Sequence, residues 1–147
     1  MNDLGFIFAD ISRLLRRRFD ERARLLGVTR KQWRLLVTLS RHEGSNQGAL
    51  AELLEVEPIS LCRMVDRLEE AGLVERRRDP ADRRAWRIHL TDRARPLLDQ
   101  LHAVGDEVFA QAWRDIPEDR RETVAATLAD IRVNLAHPLP THETAHG

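Results

Sequence analysis

The sequence predicts a mainly α-helical protein carrying one short β-hairpin, and three observations predict it. Six segments place apolar residues at three- and four-residue spacings, the period of a helix with one buried stripe. Over residues 73–90 the period drops to two, as in a strand pair. Thr, Pro and Gly stand at the segment ends where helix starts and stops want them. The length, 147 residues, suits one domain or one domain with a helical extension. With 42% hydrophobic and 33% charged residues, the chain can bury a core beneath a very polar surface.

The first helix spans residues 4–26, with Leu4, Ile7, Phe8, Ile11, Leu14, Leu15 and Phe19 in register, and Gly27 ends it. Thr29 caps a second helix carrying Trp33, Leu36, Val37 and Leu39. RHEGSNQG reads as a loop. A third helix runs from Gln47 to Leu54, with Leu50, Leu53 and Leu54 expected to face inward. Pro58 suits the first turn of a fourth helix, where its missing N–H costs nothing. That helix runs to about Ala71, with Leu61, Val65 and Leu68 as its buried stripe and Gly72 as its stop. LVERR and AWRIHL then read as two strands around Asp79-Pro80, with Trp86, Ile88 and Leu90 alternating on one face. Thr91 is expected to cap a long fifth helix reaching Trp113. Asp115-Ile116-Pro117 breaks it, and a last helix spans Glu118 to Leu135 with Val124, Leu128, Ile131 and Leu135 in line.

Charge is unevenly placed. The formal net charge is zero, yet residues 1–95 hold 20 basic and 15 acidic residues, and residues 96–147 hold 4 and 9. The basic front suggests an anionic partner such as nucleic acid. Six arginines fall within the twelve positions from Arg76 to Arg87. Lys31 is the sole lysine, and arginine is the residue that suits phosphate and groove contacts. No apolar run is long enough to span a membrane. The opening MNDLGFIFAD has acids and no basic segment ahead of its apolar stretch, unlike a secretory signal. The single cysteine, Cys62, allows no intrachain disulfide and fits a cytoplasmic location.

Residues 29–91 thus hold a helix pair joined by a tight break and followed by a basic hairpin, the outline of a winged helix-turn-helix. In such a unit the second helix lays its N-terminal residues against base edges in the major groove. The stripe of the fourth helix leaves Ser60, Arg63, Met64 and Arg67 nearer its open side, and an arginine there pairs with guanine or phosphate. The plainer alternative is a surface helix whose Arg63 and Arg67 are balanced by Glu69 and Glu70. The hairpin has little core of its own, and its arginines repel one another unless an anion neutralises them. Asp79 and Asp82 do part of that. Asp82, two residues from Arg84, is placed to hold that guanidinium in one orientation. An oriented arginine at a wing tip suits the narrow minor groove of an A-tract.

GLVERRRDPADRRAWRIHLT resembles the signature of the MarR/SlyA family of bacterial transcription regulators, through Gly72, Leu73, Val74, Arg76, Asp82, Arg84, Leu90 and Thr91. ISLCRMVDRLEEAGLV resembles the family's recognition helix. GVTRKQWRLLVTL resembles its second helix, with Trp33 where SlyA-like members have it. The likeness covers about residues 4–135. It implies a homodimeric, cytoplasmic DNA-binding regulator, a repressor, seated on a pseudo-palindromic operator. Residues 1–28 and 92–136 would form the helical dimerisation region, 29–91 the DNA-binding domain, and 137–147 a disordered tail. The residues agree with a dimer, since the terminal helices carry more apolar groups than one small winged domain covers. Ser60, Leu61, Arg63 and Arg67 are the expected major-groove residues. Arg76, Arg77 and Arg78 are expected on phosphates, and Arg83, Arg84 and Arg87 in or beside the minor groove, with Asp82 orienting Arg84. Trp86 departs from the family, which often has a basic residue there, and it is expected to pack.

The resemblance also implies a small effector, an aromatic carboxylate or phenol, held by positions matching Arg13, Thr29, Trp33, Pro58, Cys62 and Arg63. Cys62 offers a different sensor, through oxidation on the recognition helix beside Arg63. A half-buried packing cysteine is the plainer reading. The histidines are scattered, so no metal and no cofactor is expected. No paired carboxylates, activated nucleophile or Gly-rich phosphate loop supports an enzyme. Two competitors keep the fold and change the function: a winged helix used for protein interaction, and an architectural DNA binder of low specificity.

Overall fold

The computed structural model describes residues 3–139. In chain order it has α1 (Leu4–Leu25), α2 (Arg30–Arg41), α3 (Gln47–Leu54), α4 (Pro58–Glu70), β1 (Val74–Arg78), β2 (Trp86–Leu90), α5 (Arg95–Ala112) and α6 (Glu118–Ala136). This is the expected mainly helical winged helix-turn-helix. Of the expected tail, residues 140–147 lie outside the described residues. The chain divides into two compact units, one ending at Phe109 and one beginning at Ala110.

In the first unit the core joins α2 (Leu35, Leu36, Leu39), α3 (Leu50, Ala51, Leu54), α4 (Leu61, Val65, Leu68) and the hairpin (Val74, Ile88). Ala23 of α1 and Leu98 and Leu101 of α5 complete it. Each fully buried Leu or Ile contributes about 1.5–3 kcal/mol relative to exposure. Leu53, expected to face inward, is 50% exposed, and Ala51 takes the inner position instead. Leu50, Ala51 and Leu54 share one face at 3.6 residues per turn, and Leu53 falls off its edge.

Local chemistry sets the joints. Gly27 closes α1 at a φ of 74°, a left-handed value that glycine adopts without steric cost. Thr29 then starts α2 with a full capping box: its hydroxyl accepts from Gln32 N–H, and Gln32 Oε1 accepts from Thr29 N–H. Asn46 caps α3, its Oδ1 accepting from Ala49 N–H at 2.8 Å. Residues 55–57 turn α3 into α4, with Glu55 left-handed at a φ of 53°.

The hairpin is antiparallel, pairing Val74 with Leu90 at its base and Arg78 with Trp86 near its tip. Trp86, Ile88 and Leu90 share the inward face, and Ile88 is fully buried. The loop before α3 adds a third edge: Gly44 N–H donates to Ile88 O at 2.9 Å, and Ile88 N–H to Ser45 O at 3.0 Å. The wing is therefore anchored along both sides of β2. Thr91 was expected to cap the fifth helix, but its side chain makes no cap hydrogen bond. A 3-10 turn (Asp92–Ala94) intervenes, and Thr91 Oγ1 donates to Gly72 O at 2.5 Å, closing the base of the wing.

In the second unit Arg121 donates to Ile116 O at 2.7 Å and to Trp113 O at 3.0 Å, tying the loop before α6 to that helix. No residue of α6 is buried, and Val124, Leu128 and Leu135 lie exposed along it. On α1, Leu4, Ile7, Phe8, Ile11 and Leu14 are between 40% and 49% exposed.

Candidate nucleic-acid interface

The helix α4 stands after the tight turn with its buried stripe inward and its N-terminal end open. Pro58, Ile59, Ser60, Arg63 and Arg67 are exposed. Among the described residues no hydrogen bond or ion pair engages the guanidinium of Arg63 or Arg67. Leu61 corrects the sequence reading: it is wholly buried and cannot reach a base. The apolar group offered at that end is Ile59, 63% exposed and one helical turn from Arg63. The same 3.6-residue period that buries Leu61 turns Ile59 outward, a signal that periodicity already held.

The wing tip is held by its own carboxylates. Asp79 Oδ1 accepts from Ala81 N–H at 2.8 Å, and Asp79 Oδ2 accepts from Arg87 Nε at 3.0 Å. The backbone bond from Ala81, then the bond from Arg87, outweigh desolvation and hold the Asp79 carboxyl below its usual range. Asp82 Oδ1 accepts from the backbone N–H of Arg84 at 3.0 Å. It therefore shapes the turn and does not grip the Arg84 guanidinium as expected, because a side chain two residues away meets the main chain first. Arg78 lies 4.8 Å from the centroid of the Trp86 ring and donates to Arg83 O at 3.0 Å. Arg77 pairs with Glu75 on the same strand. That leaves Arg83 and Arg84 as exposed wing-tip arginines whose guanidiniums no described residue engages.

Arg76 also departs from the sequence reading. It was expected on phosphate, but its side chain is only 14% exposed. Its guanidinium pairs with Asp66 at 2.6 Å and Glu69 at 3.0 Å, and donates from Nε to Gln47 Oε1 at 2.9 Å and from Nη2 to Cys62 O at 3.2 Å. Burial works against its charge, but the Asp66 and Glu69 carboxylates outweigh that and raise its pKa above the ordinary arginine value. Cys62, half-buried, has its sulfur 3.7 Å from Arg76 Nη2.

The family model for the MarR family matches residues 28–86, the segment from just before α2 to the start of β2. A transcriptional regulator of known structure, PA3341, is 34% identical, with 90% of this chain and 98% of that one covered and a TM-score of 0.79. The chain belongs to the MarR family. CouR from Rhodococcus jostii RHA1, solved with p-coumaroyl-CoA bound, is 28% identical over 96% of both chains, with a TM-score of 0.76. A cysteine-to-serine mutant of MarR from E. coli, solved with operator DNA, is 26% identical over 87% of this chain and 92% of that one, with a TM-score of 0.71.

Within this MarR-family chain, the six expected effector residues do not line one cleft together. A cleft of about 310 Å³ opens between the start of α2 and α4, lined by Thr29, Arg30, Lys31, Gln32, Met64 and Arg67. Of the six, Thr29 lines it. Arg13 pairs with Asp10 on exposed α1, and Pro58 and Arg63 stand exposed on α4. Cys62 lies against Arg76. Trp33 packs on Phe19 at 4.3 Å between ring centroids, and its indole N–H donates to Asp20 Oδ1 at 2.7 Å.

Asp20 went unnoticed in the sequence. It is 7% exposed on α1 and holds both Trp33 and Arg30, whose Nε donates to its Oδ2 at 2.6 Å. Desolvation alone would raise its pKa, but the bonds from Arg30 and Trp33 prevail and the carboxyl sits below its ordinary value. The available signal was Trp33, a half-buried indole whose N–H needs an acceptor. Among the described residues no group of three or more His, Cys, Asp and Glu gathers as a metal site, and no helix is long and apolar enough to cross a membrane.

Proposed function

We propose that this protein is a site-specific transcription regulator, a repressor that binds a pseudo-palindromic operator as a homodimer and leaves it when a small aromatic acid binds. The observation that carries DNA binding is the pairing of two open basic surfaces: the outer face of α4 with Arg63 and Arg67, and a pinned wing tip with Arg83 and Arg84. Arginines that the fold leaves unpaired suit phosphate and base contacts. On α4, Ser60, Arg63 and Arg67 read the major groove, with Ile59 in place of Leu61 to meet thymine methyl groups. Arg83 and Arg84 enter or flank the minor groove, with Arg77, Arg78 and Arg87 adding positive charge nearby. The likeness to a MarR solved on operator DNA supports this reading.

Exposed apolar residues on α1 and α6 support a second copy of the chain as their cover. On that reading residues 1–28 and 92–136 make the dimer and 29–91 binds DNA. Binding to two half-sites about one helical turn apart then follows from two-fold symmetry. The cleft beside α4 gathers Lys31 and Arg67 beside an Arg30 already held by Asp20, which suits an aromatic carboxylate, and a ligand there would shift α4. CouR, solved with p-coumaroyl-CoA, supports an effector that carries an aromatic group. Nothing in the site calls for catalysis.

Hydroxyl-radical footprinting on the region upstream of the protein's own gene tests the reading. Two symmetric protected patches, lost when salicylate is added, are expected. Uniform protection along the duplex would instead favour an architectural binder.

A further inference from the structure

Arg76 sits on the wing but points into the angle between α3, α4 and β1, with four oxygen acceptors on its guanidinium. We propose that Arg76 is a positioning residue for DNA binding: it draws the Asp66 and Glu69 carboxylates aside, so that neither confronts DNA as an unpaired charge on the face of α4 carrying Ile59, Ser60, Arg63 and Arg67. The inference rests on the DNA-binding reading above.

Helical spacing makes the need plain. Asp66 lies three residues after Arg63 and seven after Ile59, so it belongs to the same outer face. Its side chain is 52% exposed, and that of Glu69 is 42% exposed. Left alone, Asp66 would pair with Arg63 or confront the phosphates of a duplex carrying one charge per about 1.7 Å. Instead its Oδ1 meets Arg76 Nη2 at 2.6 Å. Glu69 is gripped twice, by Arg76 Nη1 at 3.0 Å and by the Arg76 backbone N–H at 3.0 Å. The bonds to Gln47 Oε1 and Cys62 O fix the guanidinium against α3 and the inner turn of α4. Arg76 therefore cannot swing out to a phosphate without releasing both acids. Its contribution to binding runs through the charge of α4 rather than through contact with DNA.

Fluorescence anisotropy over a salt series tests this, with a labelled duplex from the upstream region and a scrambled duplex of the same composition. Arg76→Gln is expected to weaken binding to both duplexes about tenfold or more at low salt, through like-charge repulsion. Adding Asp66→Asn and Glu69→Gln to Arg76→Gln is expected to restore binding to within about threefold of wild type, with the wild-type salt slope. A phosphate contact predicts a salt slope that stays lowered by about 0.9 in the triple variant. A purely structural role predicts affinity that tracks the thermal unfolding temperature across the variants. Either outcome, or no recovery at all, overturns the proposal. Should Arg76→Gln fail to fold, as thermal unfolding would show, the Asp66→Asn/Glu69→Gln variant with Arg76 kept decides. Binding at least as tight as wild type supports charge masking, and binding about tenfold weaker overturns it. Wild type that binds neither duplex overturns the DNA-binding reading together with this one. Wild-type binding without recovery in the triple variant overturns the masking alone.

Discussion

Asp20 shows how one buried carboxylate joins two helices. It accepts from Trp33 and Arg30 of α2 while standing on α1, and its removal leaves both donors without their acceptor. Asp20→Asn is expected to cost about 1.5–3 kcal/mol, the worth of a hydrogen bond to a charged group, read by urea unfolding at neutral pH. The sign of the pH effect follows from the lowered pKa. The stabilisation is fully present above the ordinary value of 3.8 and is lost as pH falls through the folded value below it. The gap between wild type and Asp20→Asn should therefore close in strong acid and not in alkali. A gap that is constant from neutral to strong acid would show that the carboxylate's charge is irrelevant. Residues of this kind are poorly legible in a sequence. Asp20 stands between Phe19 and Glu21 like any surface acid, and Arg76 stands in an arginine run like any phosphate ligand. Which arginine turns inward depends on what α3 and α4 bring against β1, and no local pattern encodes that. Leu61 is the contrary case: its own period marked it as buried, and only its place near the start of α4 suggested a base contact.

The elements themselves were written more openly. Thr29, Asn46, Pro58, Gly27 and Gly72 punctuate the helices because capping and backbone chemistry act within a few residues, and α3 and the start of α4 fall where these signals put them. Thr91 misled because Thr before a helical run has two uses. Here its hydroxyl goes back to Gly72 O across the wing base. The turn between α3 and α4 carries a small strain at Glu55, whose left-handed backbone costs a residue with a Cβ. Glu55→Gly is expected to raise stability by about 0.5–1 kcal/mol, less than the full steric cost because glycine is freer when unfolded. Loss of stability in thermal unfolding would mean that the Glu55 side chain contributes more than its exposure suggests. In the wing, the Trp86 indole ties the tip to the core through Arg78. Trp86→Ala should free Arg78 and loosen the tip, seen as faster amide exchange at Arg83 and Arg84 while Ile88 stays protected. Equal exchange at the tip in both proteins would remove Trp86 from the wing's support.

At the scale of the molecule, a zero net charge conceals a basic winged unit. Within that unit the fold divides the arginines by role: some hold the frame, and Arg63, Arg67, Arg83 and Arg84 are among those left unpaired by the described residues. The apolar residues exposed on α1 and α6 argue for a cover that one copy of the described chain does not supply. Leu128→Glu on α6 is expected to shift the protein from about twice 17.0 kDa to 17.0 kDa in light scattering. It should also weaken operator binding steeply, because two half-sites are no longer engaged together. A wild-type protein already at 17.0 kDa at micromolar concentration would contradict the dimer.

The central claim is that the unpaired arginines of a pinned wing make this chain a site-specific DNA binder. The measurement that tests it most directly is anisotropy binding of wild type and Arg84→Ala to a duplex from the upstream region, with a scrambled duplex as control, across a salt series. The account predicts that wild type prefers the native duplex by about a thousandfold or more. It predicts that Arg84→Ala weakens that binding and lowers the salt slope by about 0.9 for each phosphate no longer neutralised. Equal binding to both duplexes, or an Arg84→Ala protein indistinguishable from wild type, would contradict it.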